Sequence, residues 1–279
     1  MASQYPSGMP ARSAAATYPK RMSQFPVAGF PSRLIPAASW PVGLRGWTVT
    51  VFAALFGFAL PVFLIAGNVE YVTGSDWLYS YNWWRNGIDD TTGITVQELN
   101  RGADQIKDYF QNNEELLDLR VNLRGEEVSL YSEREVRHMV DVKGLMKGVS
   151  NTVLITGLTA LVIAIAGLIY MRAQFWGYLQ RTLRWSALGS GLIVGVLGIA
   201  ILIDFDFVFT QFHFISFAND LWQLNPYTDY LLIMFPQQFF FEATLMIAVM
   251  AVAQFAALYF AVSLIRGRLS RPRVPVPPG

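Results

Sequence analysis

"VSNTVLITGLTALVIAIAGLIYM" (149–171) carries no charged side chain from end to end. About 20 apolar residues, each rising about 1.5 Å, cross the roughly 30 Å hydrocarbon core of a bilayer, so this stretch reads as a membrane helix. Three more runs have the same character: "WTVTVFAALFGFALPVFLIAG" (47–67), "SALGSGLIVGVLGIAILIDFDFVF" (186–209) and "FFFEATLMIAVMAVAQFAALYFAVSLI" (239–265). The first is too long and too far from Met1 for a cleaved signal peptide, and Pro61 predicts a kink in it. The fold class expected is an α-helical membrane protein with four transmembrane helices.

Composition agrees. The chain is 53% hydrophobic and 15% charged, against about a quarter charged in soluble domains. It has no cysteine, which excludes a disulfide framework, a thiolate nucleophile and a cysteine metal site. A zinc site would have to recruit carboxylates to the two histidines. No metal or cofactor is expected, nor a nucleic-acid partner. Neither a nucleophile elbow nor a phosphate-binding loop is present.

Charge orients the bundle. Residues 1–46 contain Arg12, Lys20, Arg21, Arg33 and Arg45 and no acid. The connection between the second and third runs holds Arg172, Arg181 and Arg184, and the tail 266–279 holds Arg266, Arg268, Arg271 and Arg273, again without an acid. The positive-inside rule places these segments and both termini in the cytoplasm, with 68–148 and 210–238 outside. Residues 1–46, rich in Pro, Ser and Ala, read as a disordered basic cytoplasmic tail.

The segment 68–148 is too long for a simple connection. It opens on interfacial aromatics, "YVTGSDWLYSYNWWRNG" (71–87). A helix follows from Thr95, with Glu98 able to complete a capping box. "LLDLRVNLRGEEVSLYS" (116–132) alternates about Arg124-Gly125 as a hairpin does. "SEREVRHMVDVKG" (132–144) opens a second helix with Ser132 and Glu135 as its capping box, and Gly144 and Gly148 offer a bend before the membrane. Together they predict a small α+β extracellular cap between transmembrane helices one and two.

Both histidines, His138 and His213, and the carboxylates of Asp204, Asp206 and Glu242 are expected near the outer interface. Ionisable groups at membrane depth are costly and so mark candidate sites. Gln254 and the Gly191/Gly195 pair are explained by close helix packing. Two imidazoles suit proton transfer near neutral pH. These residues alone leave two readings open. One is catalysis; the other is a non-catalytic four-helix membrane protein whose cap binds a partner and whose histidines are structural. A haem held by the histidines fits poorly, because His138 precedes its membrane helix. Paired broken helices of a transporter are lacking.

"SEREVRHMVDVKG" followed by a membrane helix, and "FHFISFANDLWQLNPYTDYLLIMFPQQFF" (212–240), resemble the two signature blocks of the lipoprotein intramolecular transacylases, bacterial four-helix membrane enzymes with an extracellular cap. The likeness covers about residues 47–265. At Gln237 that family usually carries Glu, and the tail 1–46 is longer than its pattern.

The resemblance implies a reaction. The acyl chain at sn-2 of a lipoprotein's S-diacylglyceryl cysteine moves to the same cysteine's α-amino group, giving the lyso-form. The family's catalytic histidines fall on His138 and His213. An amine with pKa near 8 must lose a proton before it attacks an ester, so His213 is expected as base and His138 as acid or oxyanion partner, with the reverse assignment open. Supporting roles fall to Asp141, which can orient His138, to Asn219 as an oxyanion donor, and to Asp220, Trp222 and Asp229. Trp83, Trp84, Phe212, Phe214 and Phe235 are expected to line the substrate site and exclude water. The expected partners are the lipid bilayer and membrane-anchored diacylglyceryl lipoproteins. The protein is expected to be a monomer, multi-pass in the cell membrane, with its active site on the extracellular face.

Overall fold

The computed structural model describes residues 44–269. Most of the two predicted tails, 1–43 and 270–279, lies outside the described residues. The chain is mostly helical. In order it forms α1 (Leu44–Thr73), α2 (Asp76–Asn86), α3 (Ile88–Thr92), α4 (Val96–Gln111), β1 (Arg120–Leu123), β2 (Glu126–Ser129), α5 (Glu133–Met171), α6 (Phe175–Ile203), α7 (Phe205–Ser216), α8 (Tyr230–Met234) and α9 (Gln237–Leu269).

Among the described residues, three helical stretches are long and apolar enough to cross a membrane: Gly46–Thr73, Glu133–Ile203 and Gln237–Leu269. The middle one, 71 residues long, would measure about 106 Å if straight, more than three bilayer cores. It is not straight. A 3₁₀ turn, Arg172–Gln174, separates α5 from α6, and Arg172 takes a positive φ of 50°. Ala160 of α5 and Leu183 of α6 then meet Phe56 and Leu60 of α1 and Val262 of α9 in one buried cluster, so the chain doubles back at the turn. Charged side chains on α5 end at Lys147, and the apolar run begins beyond it.

Contacts inside the bundle come from small residues and paired amides. A Cβ on Gly157 would lie 2.9 Å from the Phe63 ring, so only glycine lets α5 approach α1 there. Asn68 and Gln254 exchange hydrogen bonds of 2.9 and 3.0 Å between α1 and α9, each satisfying an amide that lipid would leave unpaired. Gly191 and Gly195 differ from expectation: a Cβ at either would meet nothing within 4 Å, so that pair makes no close packing among the described residues.

The segment between α1 and α5 folds onto the amphipathic α4, which buries Leu99, Ala103, Ile106 and Tyr109. The hairpin forms as the alternation predicts, with Val121 opposite Val128 and a two-residue turn in which Arg124 and Gly125 both have positive φ. Side chains of α4 satisfy the outer edge of β1. Gln105 donates to the Arg120 carbonyl (2.8 Å) and accepts from its N–H (3.0 Å), while Glu98 accepts from Asn122 N–H at 2.7 Å. Thr95 caps α4 as expected, but Glu98 serves the strand, so its capping box is not closed. The box of Ser132 and Glu135 is complete. The core of this segment continues through Met234 and Phe235 onto Phe239 and Ala243 of α9.

Three boundaries differ from the sequence reading. α5 runs unbroken past Gly144 and Gly148. Residues 76–86, expected as a plain aromatic belt, form α2, closed by Gly87 in the left-handed conformation that glycine adopts without steric cost. The third apolar run stops at Ile203, and His213 lies on a separate helix, α7, rather than in a loop.

Candidate active site

Asp204 decides where His213 sits. Its backbone leaves helical geometry (φ −153°, ψ 88°), and its carboxylate accepts from Phe207 N–H at 2.9 Å, capping a new helix. On α7, Phe205, Phe209 and His213 recur every fourth residue and therefore share a face. Phe205 stacks on Phe209 and meets Phe241 of α9 edge-on, and Phe209 packs against Phe240. This aromatic ladder fixes α7 on the start of α9 and turns His213 inward, where it is buried.

His138 arrives from α5, one turn past the capping box, and is also buried. The two imidazoles lie 6.1 Å apart between centroids. Phe217 touches both, at 5.2 Å from His138 and 5.5 Å from His213, and Trp222 covers His213 at 4.9 Å. Phe212 also meets His213, at 5.3 Å, and Phe214 packs on Trp222.

The protonation pattern follows from the bonds. His213 Nδ1 is 2.7 Å from the Phe209 carbonyl. A carbonyl oxygen only accepts, so Nδ1 carries the proton and Nε2 keeps its lone pair. His138 Nδ1 is buried without a hydrogen-bond partner among the described residues. Burial, aided by the charge His213 would carry, pushes the His138 pKa from 6.5 down to about 4, against an opposing pull from Asp141. Burial also lowers His213, opposed by its bond to Phe209. Both rings are thus neutral at pH 7, each able to accept a proton and to donate an N–H.

Around the pair, Asp141 holds Asn219 (amide to carboxylate, 2.9 Å) rather than the His138 ring, and the Asn219 oxygen accepts from Leu221 N–H. The indole N–H of Trp222 donates to the Asn219 carbonyl at 3.0 Å. Asp220 meets Arg134 through its carbonyl and, at 3.9 Å, its carboxylate. Asp229 folds its own loop by accepting from Asn225 N–H at 2.7 Å.

Other residues singled out from the sequence lie elsewhere. Trp83 and Phe235 face each other in the buried core of the segment between α1 and α5, where Trp83 donates to Asn100. Trp84 is exposed beside Tyr81. Asp206 accepts from Gln237 at 3.1 Å, and Glu242 takes Gln238 and Arg85. None of the three carboxylates expected near the outer interface bonds to a histidine among the described residues, since Asp204 caps α7, Asp206 is taken by Gln237 of α9, and Glu242 by Gln238 and Arg85. Phe209 and Phe217 were missed. The spacing 205, 209, 213, 217 is the helical signal that could have found them.

The model of the lipoprotein intramolecular transacylase Lit family matches residues 54–240. The structure resembles that of Lit from Bacillus cereus, a membrane-integral lipoprotein intramolecular transacylase, with a TM-score of 0.66, 21% identity, and coverage of 81% of this chain and all of that one. Two further structures of the Bacillus protein, with one histidine replaced by arginine or by alanine, match at TM-scores of 0.61, 21% identity and 81% of this chain, covering 96% and 98% of theirs. A sequence relative, an uncharacterized protein of Aquifex aeolicus strain VF5, is 28% identical over 43% of this chain. The chain spans about half, 51%, of that relative's length. With two thirds of its length matched by the family model, this membrane protein belongs to the Lit lipoprotein intramolecular transacylase family.

Proposed function

We propose that this chain moves the sn-2 acyl chain of a lipoprotein's S-diacylglyceryl cysteine onto the α-amino group of the same cysteine. The observation that carries the reading is the pair of buried, neutral histidines 6.1 Å apart, with the His213 tautomer fixed by Phe209.

In this reading His213 Nε2 takes the proton from the α-amino group as its nitrogen bonds to the ester carbonyl carbon. The carbonyl oxygen becomes an oxyanion. Collapse breaks the bond to the glyceryl sn-2 oxygen, which receives the proton of the newly formed His213 imidazolium, directly or relayed through His138, and leaves as an alcohol with both rings neutral again. The products are an amide and a free hydroxyl, and no water enters the balance. A nitrogen already tethered to its own ester gains from proximity, so the protein's task is proton traffic and the exclusion of water. Phe212, Phe217 and Trp222 supply apolar walls for that exclusion. The unpartnered His138 Nδ1 is a polar atom that a substrate oxygen or hydroxyl can satisfy.

The topology assigned is four crossings, by α1, the apolar part of α5, α6 and α9. Both termini are cytoplasmic, and the segment 74–132 caps the outer face of the cell membrane. Two exposed aromatic belts support it: Trp47, Tyr170 and Trp185 at the arginine-rich end, and Trp77, Trp84 and Tyr227 at the other. Exposed Phe207, Phe212, Phe214 and Ile215 suit α7 to the outer lipid interface. The test incubates the purified protein, as a monomer in mixed micelles, with a diacylglyceryl cysteinyl peptide. The amine should lose reactivity towards an amine-specific label, and His138→Ala and His213→Ala should each preserve it. A folded wild-type protein that leaves the amine free would return the chain to the partner-binding alternative.

A further inference from the structure

We propose that Glu135 is a positioning residue: its buried carboxylate joins the start of α5 to the start of α8 and so sets His138 in register with His213. This rests on the reading of the two histidines as the reacting pair.

A capping-box glutamate needs one oxygen for its task, and here Oε2 accepts from Ser132 N–H at 2.7 Å. Such residues normally sit in solvent, whereas Glu135 is 2% exposed. Its second oxygen reaches across the fold and accepts from Leu231 N–H, also at 2.7 Å. Both bonds are short and charge-assisted in a dry setting, where such bonds are strongest.

The two elements joined are those whose relative position matters. His138 lies three residues beyond Glu135, on the same side of α5. Leu231 belongs to the segment after α7 that carries Phe217, which touches both imidazoles, and Trp222, which covers His213. Two other polar bridges connect the same segments, Asp141 to Asn219 and Arg134 to the Asp220 carbonyl, but both are exposed, and a buried contact from Tyr131 to the Met234 sulfur, at 4.0 Å, is weak. Glu135 is the buried charged link, and a change in it is felt at the histidines through the backbone of both.

The experiment uses the full chain in mixed micelles with the lipopeptide substrate. Glu135→Gln keeps the size and one acceptor oxygen, but its amide must face one N–H with another. A misplacement of about 1 Å costs about 100-fold in rate, so kcat should fall on that order while KM stays within about twofold. Glu98→Gln is the control. Glu98 does the same chemical work for Asn122 N–H at 2.7 Å in the hairpin, so its loss should lower thermal stability and leave kcat unchanged.

A second readout does not depend on activity. The chain has no cysteine, so Asp141→Cys with Asn219→Cys gives one unique thiol pair between the two segments. Its yield of cross-link with a short bis-maleimide should drop when Glu135→Gln is added. Unchanged kcat in Glu135→Gln, an equal kcat loss in Glu98→Gln, or an unchanged cross-link yield each overturns the proposal. A wild-type protein that transfers no acyl chain defeats the transacylase reading instead, and the cross-link still judges the register. Should Glu135→Gln fail to reach the membrane, Glu135→Asp, which is too short to reach both N–H groups, is measured against the same outcomes.

Discussion

Acidification should destabilise this protein through His138, in a window that follows from its pKa. Folded, the ring titrates at about 4 because burial and His213 disfavour its charged form; its ordinary value is 6.5. The folded state therefore binds fewer protons than the unfolded one between those values, and stability falls as pH drops below about 6.5, levelling near 4. For a single group the loss is about 2 kcal/mol at pH 5 and about 3 kcal/mol once pH is below both values. The perturbation is His138→Phe, which keeps a planar ring beside Phe217 and removes the titration. Thermal unfolding in detergent at pH 7.5 and pH 5, followed by tryptophan fluorescence, gives the loss for each protein. Wild type should lose about 2 kcal/mol more than the variant on acidification. Identical losses in the two would show that His138 is not held neutral by burial.

His213 is lowered by burial in the same direction, so activity should decline on the acid side with an apparent pKa below 6.5 and should not fall between pH 7 and 8, as a pH series of kcat/KM will show. Lys143 donates to Asn112 Oδ1 and the Glu114 carbonyl at 2.8 and 2.7 Å and lies 3.9 Å over Tyr109. Lys143→Met should cost about 1–3 kcal/mol in thermal unfolding by stranding those acceptors. Asn68→Leu and Gln254→Leu should each destabilise, and the double variant should cost less than their sum by about 0.6–2 kcal/mol, as a double-mutant cycle will read. Asp141→Asn should leave the Asn219 contact weakened and reduce the rate about tenfold or less, since the carboxylate acts on His138 through charge and not through a bond.

Much of the architecture was legible because it depends on local rules. The Arg124-Gly125 hairpin turn and the Ser132–Glu135 cap follow from residue chemistry within a few positions and both stand in the structure, and the apolar runs reappear among the described residues in three helical stretches long and apolar enough to cross a membrane. The two histidines were legible as scarce polar residues beside apolar runs. What escaped was set by partners far away in sequence. Asp204 is the local exception: it read as a membrane carboxylate, yet it ends one helix and caps the next through Phe207 N–H, three residues on. Trp83 and Phe235 looked like lining because they are aromatic, and their packing into the core depends on α4 and α9. Glu135 gave one of its two bonds to the capping pattern, while the other, to Leu231, spans the fold and leaves no trace in spacing.

The decisive measurement is a crossover experiment read by tandem mass spectrometry. Transfer within one molecule yields an isomer of the starting lipid, so intact mass is blind to it and the fragments must place each acyl chain. Unlabelled lipopeptide is mixed with lipopeptide carrying heavy isotope in both its peptide and its acyl chains, and the mixture is incubated with the protein. Product fragments should show one acyl chain on nitrogen and one on the glyceryl group, with light chains on light peptide and heavy on heavy, and neither His138→Ala nor His213→Ala should form it. Scrambled labels, an acyl chain released to water, or product formed without either histidine would contradict intramolecular transfer by this pair.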